Sequence, residues 1–379
     1  MHQTQRAATT FLALLVAITA GLVLCKLTIT ASAQDVGRTR TRARSQNQQN
    51  DSSRISGPYI HNNLTIFLVH GKDLITGHSF LTLQEALAQK KVIVYETKDV
   101  NELAIRNLSN QDVYVQSGDI VRGGDQDRMI STDFIVPPKS GRMPIAAFCV
   151  ESGRWSRRGN EVNASFASSE NSASTRELKL AAKSENSQQA VWENVAVAQE
   201  KLSKNVNATV TDAVSRSSLE LSLENGKVKE TAAAYIKTFA NLLKNKNDVI
   251  GYVFAINGQV NSADVYASSA LFAKLWPKLL RASAVEAIAE LQENAKPSPV
   301  AESAVTAFLT GPDKATSEKD VTRRVRLVKR EDDDSVVFET RDRQKKDAGF
   351  IATTLRSSEE KPLNKKRATG RFVSRSLLS

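Results

Sequence analysis

The stretch "VIGYVFAINGQVNSADVY", residues 249–266, carries the clearest fold signal in this chain. Two runs rich in β-branched and aromatic residues flank Asn257 and Gly258, the dipeptide that most strongly favours a two-residue hairpin turn. Residues 229–245 before it and 269–281 after it instead place apolar residues at the spacing of amphipathic helices. A hairpin set between helices, without regular alternation of strand and helix, predicts an α+β fold.

The remaining segments extend this pattern into two halves of one predicted domain. In the strand-rich first half, short apolar or alternating runs predict strands at residues 64–69, 91–96, 103–108, 112–118, 129–136 and 143–150, with one short helix at 81–90. In the helical second half, we expect helices at 189–202, 229–245, 269–281 and 284–293, the inserted hairpin, a C-terminal hairpin at 325–340 and a last strand at 349–355. A bridge rich in Ser, Asn and Ala, residues 156–188, is expected to join the halves.

The amino terminus has the features of a secretory signal peptide. Arg6 precedes an uncharged apolar run, residues 11–24, and the small residues "ASA" follow at 31–33. The run is shorter than the roughly 20 residues of a membrane-spanning helix, although an uncleaved anchor stays an alternative. We therefore predict a signal peptide at 1–33, a mature protein that begins at Gln34, a secreted or periplasmic location, and no transmembrane span after cleavage.

The net charge of +11 lies almost wholly at the two ends of the chain. Residues 1–33 carry +2, residues 34–57 carry +3 and residues 356–379 carry +5, which leaves +1 for residues 58–355. A nucleic-acid-binding domain normally has its basic patch on the fold, so a nucleic-acid partner is not favoured. The composition predicts a basic disordered linker at 34–57 and a basic disordered tail at 356–379, both able to contact an anionic cell surface.

The mature chain has a single cysteine, Cys149, because Cys25 leaves with the signal peptide. An intramolecular disulfide is then excluded. Cys149 shares its strand parity with Ile145 and Ala147, which predicts a buried side chain, and buried cysteine behaves as a small apolar residue. A catalytic thiol would need a nearby base or cation, for which Arg154 is the nearest candidate. We favour a structural thiol.

Two quoted elements resemble a known family. "CVESGRW" at residues 149–155 follows a strand, and an Asn-Gly hairpin leads to an Asp and a Leu/Trp-rich helix within residues 257–276. Both resemble the ARG and rhodanese-phosphatase-superfamily-associated protein domain, and the resemblance covers nearly all of residues 58–355. It implies the handling of ADP-ribose-like or phosphorylated molecules, without an established activity.

The residues that flank two predicted strands form the candidate site. If residues 129–136 pair with residues 143–150, the turns "GGDQDR" and "ESGRW" emerge at the same end of the sheet. The polar and aromatic residues on or beside those turns are Asp119, Asp125, Asp127, Arg128, Glu151, Arg154 and Trp155. Arginine offers a planar fork for phosphate, tryptophan offers a face for a base or sugar, and carboxylates serve as acid, base or cation ligands.

We predict ligand binding by Arg128, Arg154, Trp155 and Asp125, joined by Asp264 after the hairpin. Asp127 and Glu151 are the candidate catalytic carboxylates. A structural interpretation uses the same residues: the arginines pair with the carboxylates, Trp155 caps the core, and Asp264 is a capping or ion-pair residue. Both interpretations stay open at the level of sequence.

Two classes of function are compatible with these features. The favoured one is an exported domain that binds an anionic small molecule, phosphorylated or ADP-ribose-like, or a protein partner. The alternative is a hydrolase or transferase acting on such substrates. His61, His70 and His78 lack the close spacing of a zinc site, and the chain has no Gly-x-Ser-x-Gly elbow, so the sequence predicts no metal site and names no cofactor.

Overall fold

The helices and strands of the chain are given by a computed structural model that describes residues 54–154, 165–292, 299–344 and 350–357. The strands are β1 Arg54–His61, β2 Leu64–His70, β3 Leu81–Thr82, β4 Val92–Glu96, β5 Glu102–Asn107, β6 Val113–Val115, β7 Asp119–Arg122, β8 Arg128–Ile130, β9 Phe134–Val136, β10 Met143–Cys149, β11 Ala167–Ser172, β12 Val249–Ile256, β13 Gln259–Tyr266, β14 Ala315–Asp320, β15 Val325–Glu331, β16 Ser335–Asp342 and β17 Phe350–Ser357. The helices are α1 Leu83–Ala88, α2 Arg176–Leu180, α3 Gln188–Asn205, α4 Leu219–Leu223, α5 Gly226–Phe239, α6 Ser269–Ala289 and α7 Glu302–Thr310. A π-helical segment, Ala181–Glu185, joins α2 to α3 and is called the π-turn below.

Three sheets organise these elements. The largest has eight antiparallel strands in the order β1-β2-β12-β13-β17-β16-β15-β14, and the second has six in the order β11-β7-β8-β10-β5-β4. The third, β3-β6-β9, contains the parallel pair β3 and β6. The edge strand β14 is exposed along its whole length and carries Glu318, Lys319 and Asp320, which suits an edge because charged side chains discourage pairing with another chain.

The predicted Asn-Gly hairpin is present near the centre of the large sheet. β12 pairs with β13 up to Ile256 and Gln259, and both turn residues have positive φ, 52° at Asn257 and 81° at Gly258. The neighbouring strand β2 is buried at every position. Alternate side chains of β2 enter the main core and a second core beneath α7, so this part of the sheet is covered on both faces.

Helix α6 differs from its prediction as two helices, at residues 269–281 and 284–293. It runs unbroken through Pro277 to Ala289. Ser283, which lies between the two predicted helices, donates from its hydroxyl to the Leu279 carbonyl at 3.1 Å and lies 3.0 Å from the Tyr252 hydroxyl. These bonds satisfy the hydroxyl inside the helix, so it does not compete with the helical backbone.

The predicted strand at 129–136 is also divided. It forms β8 and β9, which belong to different sheets. Between them, Asp133 points inward and accepts hydrogen bonds from the Ser117 amide at 3.0 Å and the Tyr114 hydroxyl at 3.2 Å. A buried carboxylate needs such donors, and the chain leaves the strand conformation to bring it to them.

The predicted bridge contains regular structure that the sequence did not reveal. Its described part forms β11, α2 and the π-turn. The side chains of Ser169 and Asn171 in β11 donate to Glu220 and Glu224, and Thr175 caps α2 by accepting from the Leu178 amide. β1 and β17 extend beyond the predicted limits of the domain, to Arg54 and Ser357. The predicted signal peptide, the linker before residue 54 and the tail after residue 357 lie outside the described residues.

Within the described part of the chain, no helix has both the length and the apolar character needed to cross a membrane.

Candidate functional site

The two turns predicted to form the site are neighbours in the structure. β8 pairs with β10 so that Ile130 faces Ala147 and Arg128 faces Cys149. The segment before β8, residues 123–128, therefore lies beside the end of β10, residues 149–154. These two segments together are called the turn cluster, and their adjacency confirms the strand pairing on which the site prediction depended.

Cys149 lies at the centre of the turn cluster as a buried free thiol. Its thiol donates to Gln126 Oε1 at 2.6 Å, and the Nη1 of Arg128 donates to Sγ. Burial raises the pKa of Cys149 to about 11, even though the Arg128 guanidinium acts to lower it. The thiol is therefore protonated at neutral pH, which is the state expected of a packing residue rather than a nucleophile.

Arg128 is directed into the protein. Its side chain is 4% exposed, its Nη1 donates to the Val100 carbonyl at 2.6 Å, and its Nη2 lies 3.4 Å from Glu96 Oε2. Asp125 is exposed, and its backbone N–H donates to Glu96 Oε1 at 3.1 Å. Glu96, a residue that the sequence did not single out, thus links both predicted ligand-binding residues.

The second arginine of the turn cluster contacts both candidate catalytic carboxylates. Arg154 Nη2 lies 2.7 Å from Glu151 Oε2 and 3.9 Å from Asp127 Oδ1. Both carboxylates are fully buried. Asp127 also accepts the Gly123 amide at 3.1 Å, so the described contacts of this group are those of an internal ion-pair network.

Close packing fixes the backbone of the first turn. Gly124 has φ +60°, and a Cβ at this position would approach Glu96 Oε1 to 2.4 Å and Phe166 Cζ to 2.6 Å. The side chain of Gln126 reaches across to the second turn, where its amide donates to the carbonyls of Glu151 and Arg154. Hydrogen bonds from the Gln126 side chain to backbone carbonyls of the second turn therefore hold the two turns together.

The remaining predicted site residues lie elsewhere. Asp264 belongs to the large sheet, on β13, where its Oδ1 accepts from Arg356 Nη2 at 2.8 Å. Asp119, at the start of β7, accepts from Lys278 Nζ at 2.6 Å. Trp155 lies outside the described residues. The ligand-binding and catalytic roles assigned to these residues from sequence stay predictions.

A cavity of about 270 Å³, which was not predicted from the sequence, opens at the other end of β8 and β10. Its cationic lining consists of Lys183 from the π-turn, Lys319 from β14 and Lys329 from β15, and its walls include Phe134, Ile145 and Phe338. Ser131, Thr132, Ser184 and Thr322 add hydroxyl groups, and none of the described lining residues is acidic. This space is called the lysine cavity.

The innermost cation of the lysine cavity is Lys183, whose side chain is 4% exposed. Its ammonium contacts Asp133 Oδ2, lies 3.2 Å from Thr354 Oγ1 and sits 5.0 Å from the centre of the Phe338 ring. Burial acts to raise the pKa of Asp133, but the Lys183 ammonium and the donors Ser117 and Tyr114 outweigh it, so this pKa is lowered.

The other two lysines face outward. Lys329 Nζ donates to Ser184 Oγ at 2.8 Å and forms an ion pair at 2.7 Å with Glu331, which is exposed and lies outside the cavity lining. Lys319 is exposed on the edge strand β14. Three lysines from separate elements thus surround one space, an arrangement that concentrates positive potential.

The described residues contain no group of three or more His, Cys, Asp or Glu side chains placed to hold a metal ion. His78 pairs with Asp112 at 3.1 Å, and His61 packs against the ring of Tyr235.

The lysine cavity could have been found from sequence only by knowing which distant segments meet, since its three cations lie 10 to 146 positions apart.

Comparison with known proteins identifies the family of this chain. Neither the curated proteins nor the solved structures match the chain. Residues 52–351 match the ARG and Rhodanese-Phosphatase-superfamily-associated Protein domain, a span that includes the turn cluster, the lysine cavity and the central hairpin. The chain therefore belongs to the ARG and Rhodanese-Phosphatase-superfamily-associated Protein domain family.

Proposed function

We propose that this domain binds an anionic small molecule, and that the lysine cavity is the binding site. The observation that carries the proposal is the convergence of Lys183, Lys319 and Lys329 on a space whose described lining has no acidic side chain. Lysine binds phosphate as a point charge, and the hydroxyl groups of the lining supply directed donors.

The size and walls of the lysine cavity favour a small phosphorylated molecule. Its volume of about 270 Å³ lies near the lower end of the range for ligand pockets, roughly 300–1,000 Å³. Phe134 and Phe338 supply apolar surface for the uncharged part of a ligand. A molecule as long as ADP-ribose would place one phosphate at the lysines and extend outward past β14.

The π-turn supports a functional role for this location. It places Ala182, Lys183 and Ser184 in the wall, and the next residue but one, Asn186, has a left-handed φ of 52°. Single π-helical turns occur often at functional sites, because the wider turn redirects side chains that an α-helix would aim elsewhere.

Thermal shift and calorimetry with matched ligands test the proposal. Inorganic phosphate, ribose 5-phosphate and ADP-ribose are compared with the uncharged ligands ribose and adenosine on the protein without its signal peptide. We expect stabilisation only by the anionic ligands. Lys329→Gln should raise the dissociation constant by about tenfold, the scale of one charge-assisted hydrogen bond.

Lys237→Gln is the matched control, because Lys237 is exposed on α5, outside the lysine cavity. It should leave ligand binding unchanged. Equal responses to ribose and ribose 5-phosphate, or equal losses in Lys329→Gln and Lys237→Gln, would contradict the assignment of the lysine cavity.

The alternative function, a hydrolase or transferase acting on phosphorylated or ADP-ribose-like substrates through Asp127 or Glu151, has a separate test. Glu151→Gln should abolish turnover and leave binding intact if the carboxylate is catalytic. A variant that only loses stability assigns Glu151 to the internal network instead.

We also propose export, on the basis of the sequence alone. N-terminal analysis of natively expressed protein should find Gln34 as the first residue and the protein outside the cytoplasm. Soluble cytoplasmic protein that retains Met1 would contradict export.

A further inference from the structure

Ser56, His70 and Asp248 are in contact in series at one end of the large sheet. The Oγ of Ser56 lies 2.7 Å from His70 Nε2, and His70 Nδ1 lies 3.0 Å from Asp248 Oδ1. A hydroxyl, an imidazole and a carboxylate linked in this order constitute a nucleophile, a general base and its orienting group, whatever their order in the sequence. We propose that these residues form a second site, a nucleophilic centre for acyl transfer from carboxylic esters.

Three adjacent strands build this arrangement. Ser56 lies on the edge strand β1, His70 ends β2, and Asp248 immediately precedes β12. Ser56 faces Leu68, which is two residues from His70, so the two side chains project from the same face of the sheet. The pairing of β1 with β2 is irregular after Ser56, and that of β12 with β2 is irregular after Val249.

Irregular pairing of this kind re-aims side chains and is frequent beside active sites. Gly57, which follows the serine, has φ +132°, and a Cβ there would approach the Ile66 carbonyl oxygen to 2.9 Å. Only glycine fits this position without a shift of the backbone. The serine is therefore presented by a local backbone conformation that a regular strand would not provide.

The exposure of the three groups suits their roles. His70 is 4% exposed, whereas Ser56 is partly exposed and the Asp248 side chain is 50% exposed. Solvent and substrate can thus reach the hydroxyl, while the imidazole is held in place. In the tautomer with its proton on Nδ1, facing Asp248, the lone pair of Nε2 is directed at the serine hydroxyl.

Arg54 contacts both the imidazole and the carboxylate, and the hydrogen bonds that it can donate depend on the tautomer of His70. Its Nη2 lies 3.5 Å from Asp248 Oδ2 and 3.2 Å from His70 Nδ1. In the tautomer that the proposal requires, Nδ1 carries the proton and the guanidinium, which has donors only, can bond only to the carboxylate. In the opposite tautomer Arg54 would donate to Nδ1, and Nε2–H would donate to Ser56, which would leave the hydroxyl inactive as a nucleophile.

The reaction is balanced within these groups and water. Ser56 Oγ bonds to the acyl carbon as its proton passes to His70 Nε2, and the bond from the acyl carbon to the alcohol oxygen then breaks as that proton passes to the alcohol. Water next gives a proton to Nε2 and bonds to the acyl carbon, after which the bond to Ser56 Oγ breaks and the serine regains its proton. Ser56 and His70 are the catalytic residues, and Asp248 is a positioning residue.

Esters are the favoured class because their leaving alcohol departs more readily than the amine of an amide. Asp248, being half exposed, stabilises the imidazolium less than a buried carboxylate does, so the centre suits the easier reaction. The site is independent of the lysine cavity, since none of its three residues lines that space.

A fluorophosphonate probe tests the centre without knowledge of its natural substrate. Ser56 Oγ attacks phosphorus, fluoride leaves, and the labelled peptide is located by mass spectrometry, while p-nitrophenyl acetate reports acyl transfer in parallel. We expect labelling at Ser56, its loss in Ser56→Ala, and a labelling rate about a hundredfold lower in His70→Gln, the scale of general-base catalysis.

The controls separate activation from folding. Ser168→Ala removes another partly exposed strand hydroxyl and should not alter labelling. Asp248→Asn should slow labelling and Asp248→Glu should partly restore it, with melting temperatures recorded for every variant. Ser56→Ala removes one oxygen atom, so it keeps the test decisive even if His70→Gln fails to fold.

Labelling of Ser56 at the rate of Ser168, or equal rates in the wild type and Asp248→Asn, would overturn the proposal and assign the opposite tautomer. Lys329→Gln should leave labelling unchanged, and Ser56→Ala should leave the response to phosphate unchanged. The failure of this proposal is thereby distinguished from the failure of the lysine cavity as an anion site.

Discussion

The turn cluster and the lysine cavity lie at opposite ends of the same two strands, β8 and β10, and both collect cations. In the turn cluster, each arginine contacts protein carboxylates: Arg128 meets Glu96, and Arg154 meets Glu151. In the lysine cavity, only Lys183 has a buried countercharge, Asp133, while Lys319 and Lys329 border open space. Arg154 and Glu151 are close in sequence whereas Arg128 and Glu96 are not, and the proposed anion site draws all three of its cations from separate segments.

The largest expected effect on stability comes from substitution of Lys183. This residue lines the lysine cavity but, like the arginines of the turn cluster, forms an ion pair with a protein carboxylate. Lys183→Met should lower the free energy of unfolding at neutral pH by about 3–5 kcal/mol, the usual cost of removing one partner of a buried pair. Chemical denaturation measures the loss. A loss as small as that of an exposed lysine, such as Lys237→Met, would show that Lys183 is available to a ligand.

We expect the same substitution to change how the free energy of unfolding depends on pH. In the wild type the Asp133 pKa is lowered, so its stabilising contribution is present above the unfolded pKa of about 3.9 and is lost as pH falls through the folded pKa. Without the ammonium, burial should raise the Asp133 pKa. The stability difference between wild type and Lys183→Met should therefore narrow as the pH is lowered, which denaturation at several pH values will show.

The next effect tests the turn cluster as an internal network. Arg154→Met should cost about 3 kcal/mol, because Glu151 is fully buried and loses the cation that contacts it. Arg106→Met, at an exposed strand position, should remain within about 0.5 kcal/mol of the wild type. Both are measured by chemical denaturation.

Arg154→Lys distinguishes this role from the predicted ligand wall. It retains the charge but removes the planar fork, so a structural arginine should lose about 1 kcal/mol of stability with no change in ligand response. A stable variant that binds phosphorylated ligands about tenfold more weakly would instead place Arg154 at a binding site.

Cys149→Ala should have a smaller effect, about 1 kcal/mol, as a small truncation in the core. Because burial raises the Cys149 pKa to about 11, native protein should react slowly with thiol reagents at neutral pH. Rapid labelling before unfolding would contradict a packing role. Cys149→Ser, which keeps a donor to Gln126, serves as the conservative comparison.

The smallest effect on stability is expected at Lys329. Lys329→Gln should change the free energy of unfolding by no more than about 0.5 kcal/mol, because Lys329 contacts a hydroxyl and an exposed carboxylate. Loss of ligand response without loss of stability is the reverse of the result expected for Arg154→Met. Strong destabilisation by Lys329→Gln would contradict this difference between the lysine cavity and the turn cluster.

The sequence predicted the features that depend on short-range chemistry. The Asn257-Gly258 turn, the helices at α3 and α5 and the adjacency of the two arginine turns all follow from residue pairs or periodic patterns within a few turns of chain. It also predicted the burial of Cys149 from strand parity.

Features that depend on contacts between segments distant in the sequence could not be predicted. Lys183 lies in a bridge interpreted as irregular, and Ser56 lies in a segment interpreted as linker, since neither has an apolar pattern around it. Glu96 joins Arg128 only because β4, β5, β10 and β8 lie in that order in one sheet. No spacing in the sequence encodes that order, so the partner of a buried arginine stays unknown until the strands are placed.

The π-turn makes the lysine cavity sensitive to the length of the chain as well as to its side chains. A π-helical turn closes over five residues where an α-helical turn closes over four. Deleting Ala182 would remove the extra residue of this turn, so the segment from Lys183 to the left-handed residue Asn186 would rotate by about 100° relative to α2. The ammonium at position 183 would then leave Asp133 and Phe338, although every lysine of the chain would still be present. The deletion of one alanine is therefore expected to remove Lys183 from the lysine cavity without changing the net charge of the protein. A substitution of any of the three lysines by an uncharged residue would change that charge.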